Sequence, residues 1–77
     1  MRARRLNSSL MIDRIVFDEE RHTLRILFRN ARAYIYEGVP RAIYDGLAGA
    51  ASAGGFFNAA IKGRYRCRPE RRRHRPA

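Results

Sequence analysis

The sequence predicts an α+β domain: a three-stranded antiparallel β-meander followed by two short α-helices packed on one sheet face. Three observations carry this expectation. Apolar residues alternate at period two through three stretches before Gly38, short polar turns separate those stretches, and beyond Pro40 the apolar spacing lengthens to four.

The first stretch, MIDRIVF at 11–17, places Met11, Asp13, Ile15 and Phe17 on one face and Ile12, Arg14 and Val16 on the other. DEERH then reads as a polar turn. TLRILFR follows, with Leu24, Ile26 and Phe28 facing one way and Arg25, Leu27 and Arg29 the other. NAR makes a second short turn and AYIYE a third strand. Connections this short require antiparallel neighbours. Pro40 suits the first position of a helix, where its missing N–H costs nothing. Ile43 and Leu47 continue that helix over 40–49. A second begins after Ser52, whose hydroxyl can cap it, and carries Phe57, Ile61 and Tyr65 as one stripe. The expected core is Ile15, Phe17, Leu24, Ile26 and Phe28 from the sheet with Ile43, Leu47, Phe57 and Ile61 from the helices.

Charge divides the 77 residues into three parts. Residues 1–5 carry three arginines, giving +3. The stretch 6–63 has seven bases and six acids, giving +1. From Arg64 onward seven arginines face Glu70 alone, giving +6 and completing the total of +10. The organisation expected is a basic arm over 1–7, a nearly neutral domain over 8–65 and a disordered arginine-rich tail over 66–77, which has no apolar residues to bury. Sixteen of the seventeen bases are arginine, a choice that suits phosphate contacts and also follows from a G+C-rich genome. Cys67 stands alone and cannot form an internal disulfide. No apolar run approaches the roughly 18 residues of a membrane span. MRARRL resembles the start of a signal peptide, but no hydrophobic region follows it, so a cytoplasmic protein is expected.

SSL at 8–10, LRILF at 24–28, AYIYEGVP at 33–40, IYDGL at 43–47 and SAGGFFNAAIKGRY at 52–65 resemble, in that order, the KTSC domain. This family is named for its place at the C-terminus of some lysyl-tRNA synthetases, and it also stands alone in small bacterial and phage proteins. Its hallmark Tyr-x-Tyr is matched by Tyr34 and Tyr36. Two departures are visible: the family commonly has glycine where Ala31 stands, before the third strand, and often tyrosine where Phe17 stands. Because Ser8 and Ser9 belong to the pattern, the resemblance implies a chain start upstream of Met11. The synthetase linkage implies RNA association by analogy, without a mechanism.

The two tyrosines admit two readings. On an exposed face they would stack bases; toward the helices they are core rings with hydroxyls at the edge. Outward tyrosines would leave the third strand only Ala33 and Ile35 for the core, and apolar burial is worth about 25 cal/mol per Å². The core reading is therefore favoured, and the outer face then shows Arg14, Arg25 and Arg29 around Val16, Leu27 and Ile35.

The candidate nucleic-acid residues are Arg25, Arg29, Tyr34, Tyr36, Lys62 and Arg64, with Arg66, Arg68, Arg71, Arg72 and Arg73 of the tail. A weaker candidate is an anion site at Ser52, Gly54 and Gly55, where glycines would bare the N–H groups of a helix start; the same glycines also serve close packing. His22, His74 and Cys67 lack the paired spacings of a zinc site, so no metal or cofactor is expected. Ser8, Ser9, Asp13 and His22 show no arrangement for nucleophilic catalysis, and an enzyme is not expected. Two function classes remain: a module that binds RNA, with the tail supplying electrostatic affinity, or a protein-interaction module, self-association included, using the outer sheet face or an edge strand.

Overall fold

A computed structural model describes residues 1–6 and 9–70. It shows an α+β fold with five strands rather than three. They are β1 (Arg2–Arg5), β2 (Ile12–Asp18), β3 (Thr23–Phe28), β4 (Ala33–Glu37) and β5 (Cys67–Pro69), antiparallel and paired in sequence order. The expected meander is the middle of the sheet. The basic arm adds one edge, with Arg2 opposite Phe17 and Arg5 opposite Arg14. The start of the expected disordered tail adds the other, with Tyr36 opposite Cys67 and Tyr34 opposite Pro69. Glu70 continues that ladder by donating its N–H to the Ala33 carbonyl at 2.8 Å.

Helix α1 (Arg41–Gly49) begins one residue after Pro40, which is extended at ψ 155° and occupies the cap position rather than the first helical one. Helix α2 (Ala53–Phe56) starts as expected: the Ser52 hydroxyl accepts the Gly55 N–H at 3.1 Å. It runs directly into a π-helical turn over Phe57–Ile61, closed by the Lys62 N–H on the Phe57 carbonyl at 2.9 Å. That wider turn buries both Phe57 and Ile61.

The core lies between the helices and one sheet face. Tyr44 of α1 stacks on Phe17 with ring centroids 5.5 Å apart. Phe57 meets Phe28 and Tyr36 edge to face at 5.4 and 5.7 Å. Ile15, Leu24, Ile26, Leu47 and Ile61 are fully buried, as their periodicity implied. Phe28 and Ile43 are partly buried at the margin instead.

Ile12 departs from the alternation. Strict period two sends it to the outer face, yet it is fully buried with Ile15 and Phe17. The register between β2 and β3 shifts between Ile12 and Arg14, so a β-bulge around Asp13 returns Ile12 to the core side. The Ser9 hydroxyl shapes the approach by accepting the N–H groups of Met11 and Ile12 at 3.2 and 2.9 Å.

The β3–β4 turn places Ala31 in a conformation suited to the glycine that the family commonly has there. Ala31 has φ +72°, the left-handed conformation that glycine adopts at no steric cost. Its N–H donates to the Phe28 carbonyl at 2.9 Å, and the Phe28 N–H donates to the Arg32 carbonyl at 2.8 Å. This is a three-residue hairpin loop ending in a left-handed residue.

Candidate nucleic-acid interface

Cross-strand register sorts the side chains. The row Phe17, Leu24, Tyr36 is buried against the helices. The adjacent row, Ala3, Val16, Arg25, Ile35 and Arg68, therefore stands on the outer face. A second outer row holds Arg5, Arg14, Leu27 and Ala33. The outer face is thus an apolar strip of Val16, Leu27 and Ile35, half-buried under arginine stems.

Acids neutralise part of this face. Arg25 Nε lies 2.5 Å from Glu70 Oε1, and Arg68 Nε lies 3.1 Å from Glu37 Oε2. Arg5 and Arg14 face each other across β1 and β2, and neither has an acidic partner among the described residues. Lys62 and Arg66 are exposed and likewise lack one among those residues.

Arg29 is elsewhere. Its guanidinium donates to the Ser9 carbonyl at 3.1 Å, the Leu6 carbonyl at 2.8 Å and Asp13 Oδ1 at 3.1 Å. These contacts latch the β1–β2 connection to the end of β3. Arg64 Nε donates to the Ala59 carbonyl at 2.9 Å, closing the helix end. Arg71, Arg72, Arg73 and His74 lie outside the described residues.

Both tyrosines point to the helix side. Tyr36 is 5% exposed and packs on Phe57; Tyr34 is half-buried with its ring 6.0 Å from Phe28, edge to face. Burial, then the neighbouring Cys67, pushes the Tyr36 hydroxyl up to about 12. A ring so enclosed offers no face for a base.

The Ser52, Gly54 and Gly55 cluster is occupied by its own side chains. The Ser52 hydroxyl holds the Gly55 N–H, and the Ser52 carbonyl holds the Phe56 N–H at 2.9 Å. A methyl on Gly54 would stand 3.4 Å from Met11 Sδ, and one on Gly55 3.1 Å from Ser52 Oγ. Close packing therefore accounts for Gly55, whereas a methyl on Gly54 would make only ordinary contact. His22 lies in the β2–β3 turn and Cys67 on β5; among the described residues no three His, Cys, Asp or Glu side chains converge. Among those residues no helix is long and apolar enough to cross a membrane.

Sequence reasoning missed the strand character of the arms and hence the position of Arg4 and Arg5. The tetrapeptide RARR carries no apolar alternation, so only the register with β2 reveals it.

A family model for the KTSC domain matches residues 8–65. The chain belongs to the KTSC domain family. This KTSC protein is also similar to a solved structure, the crystal structure of a KTSC domain protein from Yersinia pestis. The two share 35% identity with a TM-score of 0.84, covering 90% of this chain and 96% of that one. That span exceeds the family match, so the likeness takes in part of the flanking arms as well. No curated protein matches the chain.

Proposed function

We propose that this KTSC protein is a non-enzymatic, cytoplasmic module that binds RNA by its phosphate backbone. The observation that carries the reading is the surplus of positive charge, +10 overall, with Arg5 and Arg14 side by side on the outer sheet face and no acid between them. With both tyrosines turned to the core, affinity comes from charge rather than base stacking, so binding is indifferent to sequence and strongly dependent on salt. RNA rather than another polyanion is favoured by the family's occurrence beside lysyl-tRNA synthetases.

The test compares polyuridylate retention by the full chain and by a version ending after Glu70, which keeps β5. The full chain loses affinity steeply with salt. Removing Arg71, Arg72, Arg73 and Arg75 lowers the log–log slope by up to roughly 3, at about 0.7 per phosphate on single strands. Arg14→Glu in the shorter version removes most of the remaining binding. Absence of retention by the full chain at low salt refutes the reading.

A further inference from the structure

We propose that the edge of β1, unpaired among the described residues, is a docking site for an extended acidic peptide segment, which adds a sixth strand to the sheet. The two edges of this sheet are unlike. β5 has three residues, ends in Pro69, and its Arg68 is tied to Glu37. It is short and proline-blunted, as protected edges are. β1 has four residues, all exposed, with neither proline nor acid. Its protection is charge alone: a second copy pairing there would set arginine against arginine, which like-charge cross-strand pairs disfavour. Against an acidic strand the same charges attract.

The geometry defines the register. The Leu6 N–H donates to the Asp13 carbonyl at 2.9 Å, and ladder groups alternate along an antiparallel strand. Leu6, Arg4 and Arg2 therefore turn their main chain toward β2, and Ala3 and Arg5 turn theirs outward. An added strand takes its hydrogen bonds from Ala3 and Arg5. Its residue opposite Arg4 then occupies a non-hydrogen-bonded site, where side chains approach most closely.

On the helix side, two clefts flank Arg4. One, of about 480 Å³, is lined by Arg4, Leu6, Met11, Ala48 and Ala53, with Leu10, 97% exposed, at its rim. The other, of about 310 Å³, is lined by Arg2, Tyr44 and Asp45 and shares Arg4. Alternate side chains of an added strand point to that side, and main-chain pairing with pockets for alternate residues is how strand addition achieves specificity. Arg2 already faces Glu19 at 2.8 Å, whereas Arg4 and Arg5 have no ion-pair partner among the described residues; Asp45, in the cleft shared with Arg4, is paired with Arg41 at 3.5 Å. In antiparallel register the ligand is therefore an apolar residue opposite Leu6, followed by two acids opposite Arg5 and Arg4.

The probe is a capped eight-residue peptide in which leucine is followed by two glutamates in a threonine background. Titrated into the isotope-labelled full chain, it shifts the amides of Ala3 and Arg5 most and slows their exchange. Ala3→Pro removes an outward donor without touching the β1–β2 ladder, and weakens the peptide by about tenfold. It leaves polyuridylate retention unchanged, because it removes no charge. Should proline disturb the strand, the double reversal Arg4→Glu with Arg5→Glu abolishes peptide binding while the Leu6 amide stays protected. Four results overturn the proposal: equal binding of a peptide with the same residues scrambled, shifts centred on β5 or the outer face, loss of RNA and peptide in parallel on Ala3→Pro, or concentration-dependent β1 shifts without peptide, which would show a second copy there.

Discussion

Replacing Ala31 with glycine stabilises this protein. Ala31 holds φ +72° at the end of the β3–β4 loop, and a side chain in that left-handed region costs roughly 1–2 kcal/mol. Glycine removes the clash of Cβ with its own backbone. It also adds unfolded-state freedom, which takes back about 0.4–1 kcal/mol. Ala31 is exposed, so its methyl contributes little packing that glycine would forfeit. Taking the middle of each range, the net gain is about 0.8 kcal/mol. For a domain of this length that raises the melting midpoint by about 3–6 °C. The loop's two main-chain hydrogen bonds, Ala31 to Phe28 and Phe28 to Arg32, do not change. Thermal and urea unfolding of the two proteins at one pH and salt concentration decide the matter. Equal or lower stability of Ala31→Gly would mean that the turn is not strained at this position, and the conformational argument would fail. Ala31→Val provides the opposite control, because branching at Cβ deepens the clash and lowers the midpoint below that of the natural chain.

Stability falls above pH 10, where unfolded tyrosine ionises, until the pH passes about 12, where buried Tyr36 does. The proton is held more tightly in the folded state, so the loss reaches at most about 3 kcal/mol, and Tyr36→Phe flattens this decline in urea titrations at stepped pH. Two glycines of α1 respond with opposite signs. A methyl on Gly46 would lie 2.6 Å from Phe56 Cζ, whereas one on Gly49 meets nothing within 4 Å. Gly46→Ala therefore destabilises by about 1 kcal/mol, and Gly49→Ala gains up to about 1 kcal/mol in the same unfolding assay. Arg29→Lys keeps the charge but cannot reach Ser9, Leu6 and Asp13 together, so the Leu6 amide exchanges faster and polyuridylate affinity falls only in step with that loosening of β1. An equal loss of affinity in Arg29→Lys and Arg29→Ala, at unchanged Leu6 protection, would return Arg29 to the nucleic-acid surface.

The central strands were legible because Leu24, Ile26 and Phe28 alternate against Arg25 and Leu27, and burial follows that alternation. The tyrosine orientation was legible for an energetic reason: with the tyrosines outward, β4 would have only Ala33 and Ile35 to give the core. Three features were not. Ile12 breaks the alternation through a bulge, which leaves no mark in MIDRIVF beyond an isoleucine assigned to the wrong side. β1 and β5 are built from arginine, alanine, cysteine and proline, and only main-chain pairing with strands already formed makes them strands. Arg29 carries the same side chain as the arginines of the outer face. Its role as a latch depends on two carbonyls that come near it only after β1 has docked.

Those edge strands also change what the charge distribution means. Along the chain, acids of the middle segment balance its own bases and leave the arms as separate surpluses. In space, five of the seven acids face arginines among the described residues, and three of the six pairs bind the edges to the meander. Glu19 takes Arg2 of β1; Glu37 takes Arg68 of β5, and Glu70 returns from beyond β5 to Arg25. Arg2 holds the Glu19 carboxyl below the usual carboxylate range, as a paired acid should be. Exposed pairs of this kind contribute little each and weaken with salt. Salt therefore acts twice on any polyanion complex of this protein, by restoring counterions to the phosphates and by loosening the strands that hold the arginines in register. A salt slope measured on RNA alone adds these effects together. Amide exchange of Leu6 and Glu37 across the same salt series separates them, because those N–H groups report the edges directly, at 2.9 and 2.8 Å from Asp13 and Arg66 carbonyls.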